Sequence, residues 1–183
     1  MMYHNFMKLL LHACCAPCLT GFIPGLNDEK IRPDLFWYNP NIHPVTEYNS
    51  RKESLIACAY EEKLELLTED FYGLREFLEE AYNKNECWPE KRCPVCYRMR
   101  LEKTAAAARN GEYDAFSTTL LVSPHQNHDL IKKIGDECAA DFGIDFFYRD
   151  FRLLFREGQR KARNKGRYMQ KYCGCIFSEE ERF

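Results

Sequence analysis

The chain has 183 residues and a mass of 21.7 kDa, with 45% hydrophobic residues, 30% charged residues and a formal net charge of −2. This length and apolar content predict one folded domain over residues 1–183 and exclude a disordered chain. The apolar run near the first residue is too short for a secretory leader or a membrane span. We therefore expect a cytoplasmic protein without a membrane partner, whose cysteines stay mostly reduced.

Strand and helix signals alternate from one end of the sequence to the other. Short apolar runs bounded by turn residues predict five buried strands, and amphipathic stretches between them predict helices. The predicted strands are Lys8 to His12, Asp34 to Tyr38, Leu64 to Leu67, Ala115 to Thr119 and Asp145 to Tyr148. The predicted helices are a segment after Pro17, Tyr48 to Tyr60, Phe71 to Asn83, Pro94 to Asn110 and Asn127 to Phe142.

This alternation predicts an α/β fold with a parallel, doubly wound, five-stranded sheet, because parallel neighbours need helical crossovers that cover both faces. Sites on such sheets form beyond the carboxyl ends of the strands. The polar residues that follow the predicted strands are therefore candidates for one shared site. They are Cys14, Cys15, Asn39, Asn41, Thr118, Thr119 and Asp150.

Cysteines are the most informative residue type, and six of the ten lie in three close groups. Thiolates at short spacing bind zinc or an iron-sulfur cluster. Cys14 and Cys15 are adjacent, so both can serve one centre only if the backbone turns sharply there. Cys93 and Cys96 form a C-x-x-C pair at a predicted helix start, where free amides and the helix dipole stabilise thiolates.

Cys173 and Cys175 form a C-x-C pair, in which a disulfide would be strained and easily reduced. That property favours a redox role. A structural zinc held jointly by Cys93, Cys96 and this pair is the competing interpretation. The remaining candidates stay without a role: Cys18, Cys58 and Cys138 read as buried small hydrophobes, and Cys87, His12 and His43 are ambiguous.

The segment 149–175 carries nine basic residues against two acidic ones between Arg149 and Lys171, interleaved with aromatic residues. Basic and aromatic side chains together favour a polyanion such as RNA, since they contact phosphates and stack on bases. A solvated helix face explains the charge equally well. The candidate contacts are Arg152, Arg160, Lys161, Arg163, Lys165 and Arg167.

An ordered set of short motifs runs along nearly the whole chain: Leu11 to Cys18, Tyr38 to Ile42, Glu47-Tyr48 with Arg51, Arg92 to Glu102, Ser117 to Leu120, Asp150 to Arg152 and Tyr172 to Cys175. This set resembles the cobalamin-independent epoxyqueuosine reductases, iron-sulfur enzymes of tRNA queuosine biosynthesis. Any one of these blocks is weak evidence, but their order is specific. No cysteine of the family pattern is missing.

The resemblance implies a Rossmann-like three-layer fold similar to adenine-nucleotide hydrolases and tRNA-thiolating enzymes, with a cysteine-bearing insert at about 84–97. It further implies that the protein removes the epoxide oxygen of epoxyqueuosine at the tRNA wobble position, with electrons from an unidentified donor. The implied ligands of a [4Fe-4S] cluster are Cys14, Cys15, Cys93 and Cys96. Cys173 and Cys175 would form the redox-active pair, and an additional iron would lie beside the cluster, with Asp150 as a candidate ligand.

Two other classes of protein remain open at this point. An iron-sulfur tRNA sulfur transferase would share the fold, but it should carry a glycine-rich ATP loop after the first strand, where this chain has His12 to Cys18. A zinc-stabilised RNA-binding module would explain the cysteines and the basic segment without catalysis. Metal analysis of the purified protein distinguishes these alternatives.

Overall fold

A computed structural model describes residues 7–83 and 92–182. Its five strands form one sheet in the order β3-β2-β1-β4-β5, and every neighbouring pair is parallel. The strands are β1 (Leu9–His12), β2 (Asp34–Trp37), β3 (Leu66–Thr68), β4 (Ala115–Thr118) and β5 (Asp145–Phe146). The predicted α/β fold with a parallel five-stranded sheet is confirmed.

Helices cover both faces of this sheet. They are α1 (Ala16–Asp28), α2 (Val45–Glu62), α3 (Leu74–Asn83), α4 (Arg92–Asn110), α5 (His128–Phe142), α6 (Phe155–Asn164) and α7 (Ile176–Glu180). Helix α1 packs against α2 and α6, whereas α4 packs against α5 and α3. Because crossovers between parallel strands are right-handed as a rule, the strand order puts these two sets on opposite faces of the sheet, which gives three layers. No helix among the described residues has the length and apolar character needed to cross a membrane.

The central strand β1 explains where the site lies. Leu9, Leu10 and Leu11 are buried because helices cover both faces of the strand. The strand ends at the buried His12, and the chain then turns into α1. Polar and thiol side chains therefore begin where the apolar strand stops, at the carboxyl edge of the sheet.

The structure differs from the sequence-based prediction mainly after residue 118. β4 ends at Thr118, and a 3-10 turn covers Thr119–Val122. Helices α6 and α7 were not predicted, since α6 buries only the small residues Gly158 and Ala162 and α7 has only five residues. Of the predicted insert at about 84–97, residues 84–91, including Cys87, lie outside the described residues, and the remainder belongs to α4.

Two glycines allow α6 to lie close against α1. A Cβ atom on Gly158 would stand 2.4 Å from the Cα of Gly21, well inside van der Waals contact. The absence of a side chain at Gly158 therefore permits this backbone approach, whereas a Cβ atom on Gly21 would be 3.6 Å from the Cα of Gly158, an ordinary contact distance. The close packing brings Phe155 and Gln159 of α6 towards the carboxyl edge of the sheet, where both line the cavity described below.

Candidate metal centre and adjoining cavity

Three cysteines meet where β1 passes into α1. Cys15 is extended and caps α1, and its sulfur accepts the amide hydrogen of Cys18 over 3.4 Å. The Sγ atoms of Cys14 and Cys15 are 3.7 Å apart. All three Sγ atoms, including that of Cys18, lie within 4.8 Å of one another, and all three residues are buried. The sharp backbone turn that adjacent cysteines require is therefore present, and this group can bind a metal.

The pKa shifts of these three cysteines differ in direction, as expected when one thiolate accepts hydrogen bonds from two neighbouring thiols. Hydrogen bonds from Cys15 and Cys18 hold the pKa of Cys14 well below its ordinary value. Hydrogen bonding with the other two thiols raises the pKa of Cys18, and burial raises that of Cys15. The amide of Gln170 also donates to the Cys15 sulfur over 3.0 Å. A soft metal ion in place of the thiol protons would hold all three as thiolates.

A buried polar network fixes the loop that carries these cysteines. The His12 ring contacts Thr118 Oγ1 at 2.9 Å through Nδ1 and Asn39 Oδ1 at 3.1 Å through Nε2. Asn39 Nδ2 donates to the carbonyl of Ala13 over 3.0 Å. Burial lowers the pKa of His12 to about 4, so the ring is neutral at physiological pH. The network therefore joins the carboxyl ends of β1, β2 and β4.

Four residues predicted to touch substrate are instead buried at this edge: Asn39, Asn41, Thr118 and Thr119. Thr119 Oγ1 accepts the amide hydrogen of Cys14 over 3.2 Å. Together with the His12 contacts, this bond makes Asn39, Thr118 and Thr119 supports of the cysteine loop. Among the described residues that line the neighbouring cavity, none of the four is present.

A second thiol group involves the C-x-x-C and C-x-C pairs. Cys96 and Cys175 are buried in one small apolar cluster with Phe77 and Phe177. Cys173 lies next to Cys175, with their free Sγ atoms 3.9 Å apart. A hydrogen bond from Cys175 lowers the pKa of Cys173 to about 5, and the same bond raises the pKa of Cys175. The C-x-C pair is thus a dithiol with one strongly acidic member.

Two buried arginines connect the thiol groups. Arg51 donates to the carbonyl oxygens of Tyr172 and Cys173 over 2.9 and 3.0 Å. Arg100 donates to Cys96 twice, from Nη2 to the sulfur over 2.9 Å and from Nε to the carbonyl over 3.0 Å. Burial lowers the pKa of Arg100, but the facing thiols, led by Cys96 and Cys14, outweigh it and the pKa is raised.

An open cavity of about 350 Å³ lies between these elements. Its wall combines thiols from both groups with three glutamine amides and several rings. The lining residues are Cys14, Cys18, Arg51, Leu120, Ser123, His125, Gln126, Phe155, Gln159, Gln170, Lys171, Tyr172 and Cys173. Both the volume and the mixture of aromatic and amide groups suit a small planar ligand with polar edges.

Comparison with known proteins identifies the family. The family model described as epoxyqueuosine reductase QueH matches residues 9–181. The chain belongs to the epoxyqueuosine reductase QueH family. The enzyme of that name from Thermotoga maritima is 37% identical over 181 residues, covering 95% of this chain and 91% of the relative. Those from Dehalococcoides mccartyi and Acinetobacter baylyi are each 36% identical and cover 96% and 95% of this chain, and 94% and 81% of their own.

Membership in the epoxyqueuosine reductase QueH family confirms the resemblance drawn from the sequence motifs and makes the chain an oxidoreductase. Its predicted ligand set differs from the group that the structure assembles. Cys14 and Cys15 meet Cys18, whereas Cys93 and Cys96 are outside this group of three. Burial raises the pKa of both C-x-x-C thiols, that of Cys96 to about 12.

Other predicted residues of this QueH family member lie elsewhere. Asp150 is partly exposed and holds Arg152 through a bond of 2.8 Å to Nε, which lowers the pKa of Asp150 to about 2. Asp150 is absent from the cavity wall among the described residues. It lies near His128, whose Nδ1 is 4.0 Å from its carboxylate.

Most of the basic candidates are paired with acidic side chains. Arg160 and Lys161 both pair with Glu157 on α6. Lys165 pairs with Glu61 and Glu62 of α2, and the buried Arg167 pairs with Glu61 as well. Arg163 is exposed and forms no ion pair within the described part of the chain. This pairing supports the solvated-face interpretation for much of the segment.

Three residues of the site were not recognised from the sequence. Cys18 stands three positions after Cys15, the spacing that places both at one helix start. Arg100 follows Cys96 by four positions, which puts both on one helix face, so the i, i+4 spacing could have identified it. Gln170 lies in an irregular segment, and nothing in its sequence context marks it.

Proposed function

We propose that the protein reduces epoxyqueuosine in tRNA to queuosine and that the cavity between the two thiol groups is its active site. One observation carries this proposal. Cys14 and Cys18 of the buried cysteine group and Cys173 of the C-x-C pair all line the same cavity. Family membership supplies the chemistry, since an epoxide reductase needs a source of electrons beside the substrate.

The donor set fits an iron-sulfur cluster. Three buried thiols lie close together, and the buried Arg100, which has no carboxylate partner among residues 7–83 and 92–182, faces one of them, Cys14. We propose Cys14, Cys15, Cys93 and Cys96 as ligands of a [4Fe-4S] cluster, with Cys18 as a further candidate. A bound cluster would pass electrons one at a time, and an additional iron would act as a Lewis acid on the epoxide oxygen.

The C-x-C pair matches the stoichiometry of the reaction. Converting the epoxide to an alkene and water breaks two C–O bonds and consumes two electrons and two protons. Oxidation of the Cys173 and Cys175 thiols to a disulfide releases two electrons and two protons. We propose that these two residues are catalytic and that an external dithiol or other low-potential reductant returns them to the reduced state.

The rest of the cavity wall supports recognition of a modified base. Phe155 and Tyr172 offer rings for stacking, and the amides of Gln126 and Gln159 offer donors and acceptors to base edges. Gln126 Oε1 already accepts from Tyr97 Oη over 2.8 Å, which leaves its NH2 group for the ligand. An anticodon loop presents single-stranded bases, so one base can leave the stack and enter the cavity. Lys171 on the same wall can contact a phosphate.

The decisive experiment is a turnover assay under anaerobic conditions. Protein loaded with iron and sulfide is mixed with tRNA carrying epoxyqueuosine and a one-electron reductant, without cobalamin. Queuosine formed in the tRNA is measured by mass spectrometry of nucleosides. Cys173→Ser and Cys175→Ser should keep the iron and the tRNA affinity but lose most turnover. Failure of the iron-loaded wild type to form queuosine refutes the proposed function, and full zinc occupancy without iron refutes the cluster.

A further inference from the structure

Arg100 is a buried cation with an unusual set of partners. It lies on α4 with 3% of its surface exposed. Its guanidinium donates to the sulfur of Cys96 over 2.9 Å and to the Cys96 carbonyl over 3.0 Å, and it stands 5.9 Å from the centre of the Tyr97 ring. The geometry fixes the guanidinium plane against one sulfur atom.

The charge of Arg100 needs an anion nearby, because a buried unpaired charge costs several kcal/mol. Arg51, the comparable buried arginine, has the carboxylate of Glu47 at 2.7 Å. Arg100 has no carboxylate within ion-pair distance among the described residues. The acidic groups that face it are mainly thiols, those of Cys96, Cys14 and Cys173. Within the described part of the chain, cysteine sulfurs are therefore the groups placed to balance its charge once metal binding has made them thiolates.

We propose that Arg100 is the fixed counter-cation of the thiolate centre and sets its reduction potential through the hydrogen bond to Cys96. This inference rests on the proposed metal centre. Reduction adds a negative charge to a centre that thiolates already make anionic. A guanidinium held 2.9 Å from one sulfur stabilises the reduced form more than the oxidised form. Arg100 thus acts as a positioning and tuning residue, and it needs no contact with substrate.

The test compares Arg100→Gln and Arg100→Lys with Arg98→Gln. Arg98 is a matched control because it lies on the same helix, is partly exposed and pairs with Glu137. Each anaerobically loaded variant is analysed for iron, for its unfolding temperature and for the midpoint potential of the centre by optical redox titration. Arg100→Gln should shift the one-electron equilibrium about tenfold towards the oxidised form, which is 59 mV.

Arg100→Lys keeps the charge but loses the planar donor pair, so we expect a smaller shift in the same direction. Arg98→Gln should leave the potential unchanged. An unchanged potential in either iron-containing Arg100 variant overturns the proposal. Loss of iron from both variants together with a lowered unfolding temperature also overturns it, in favour of a purely structural role. Wild-type protein that takes up no iron contradicts the metal centre itself, which separates the two failures.

Discussion

The guanidinium of Arg51 donates to the carbonyl oxygen of Cys173 over 3.0 Å, although the two residues are 122 positions apart in the chain. The same guanidinium holds the carbonyl of Tyr172, and Glu47 fixes the Arg51 Nε at 2.7 Å. The next carbonyl, that of Gly174, accepts the amide hydrogen of His43 over 2.7 Å. Three successive carbonyls of the C-x-C segment are therefore tied to α2 and the loop before it.

These contacts of Arg51 and His43 with the carbonyls of residues 172–174 form a clamp. The clamp holds a backbone conformation that few residues adopt. Gly174 has φ of +128°, in the region that favours glycine. An added Cβ atom there would stand 3.1 Å from Arg51 Nη1. The close approach of Arg51 therefore requires glycine at position 174, and the hydrogen bonds of Arg51 hold the turn in place. Together they determine where the Cys173 and Cys175 sulfurs lie.

Removing the clamp should impair both stability and turnover. Arg51→Gln leaves the buried Glu47 carboxylate without its cation, and breaking such a pair costs about 3–5 kcal/mol. Misplacing the C-x-C sulfurs by about 1 Å should lower kcat about 100-fold. Denaturant unfolding measures the first effect, and single-turnover kinetics with epoxyqueuosine tRNA measures the second.

The control for this prediction is Glu53→Gln, an exposed position on the same helix that should change neither property. In the double variant Glu47→Gln/Arg51→Gln the destabilisation should be smaller than the sum of the single effects, because no unpaired charge remains. Additive destabilisation would show that the two residues do not act as a pair.

Cysteine variants distinguish the ligand sets. Cys18→Ala should lower the iron content if the group that the structure assembles binds the metal, since one of its three sulfurs is lost. Cys93→Ala or Cys96→Ala should strip most of the iron if the resemblance gives the ligands correctly. Iron and sulfide analysis of anaerobic protein, with its visible absorption, reports each outcome.

Cys138→Ala is the matched control for these variants, because Cys138 is equally buried but lies on α5 in the main core. It should retain full iron occupancy while losing some stability through the small cavity it creates. If Cys18→Ala retains as much iron as Cys138→Ala, then Cys18 is a structural residue. The four cysteines given by the resemblance then remain the proposed ligands.

The free energy of unfolding should decrease at acid pH because protonation of His43 is disfavoured in the folded state. Burial lowers the pKa of His43 to about 4, while an unfolded histidine titrates near 6.5. Between these values the unfolded chain binds a proton that the folded chain does not, so stability is complete above about pH 6.5 and falls as the pH drops towards 4. Urea unfolding at a series of pH values should show this loss, and His43→Gln should reduce its slope. An equal slope in the variant would assign the loss to other groups.

The alternating sequence pattern predicted the fold because it depends on local signals. Short apolar runs bounded by turn residues, and the amphipathic stretches between them, were enough to predict all five strands and the helices between them. The elements that were missed have a different origin. Helix α6 lies against α1 through the contact of Gly158 with Gly21, and the residues that α6 buries, Gly158 and Ala162, are too small to give an apolar signal in the sequence.

The site was predicted only in part for a similar physical reason. Residue type and spacing identified the cysteine groups and the edge of the sheet where they lie. They did not show that Asn39 and Thr118 turn inward to hold His12, since a polar residue at a strand end can point either way. Nor did they show Gln170 beside Cys15, because that contact joins segments 155 positions apart and depends on the complete tertiary fold.

The ion pairs of the basic segment 149–175 indicate which of its residues are most suited to bind tRNA. Exposed Arg156 and Arg163 have no ion-pair partner among the described residues, so their charges are available for phosphates. Reversing both in Arg156→Glu/Arg163→Glu should weaken tRNA binding and lower the salt slope by about one unit for each lost contact. Fluorescence anisotropy with labelled tRNA at several salt concentrations measures both quantities.

The buried Arg167 should behave differently, because it pairs with Glu61 and has 9% of its surface exposed. Arg167→Gln should lower the free energy of unfolding, since it removes the ion pair with Glu61, yet leave the salt slope of tRNA binding unchanged. Lys161→Gln, on an exposed residue already paired with Glu157, should have little effect on either property. If the Arg156/Arg163 reversal leaves affinity and salt slope unchanged, these arginines belong to a solvated face and the tRNA must bind elsewhere.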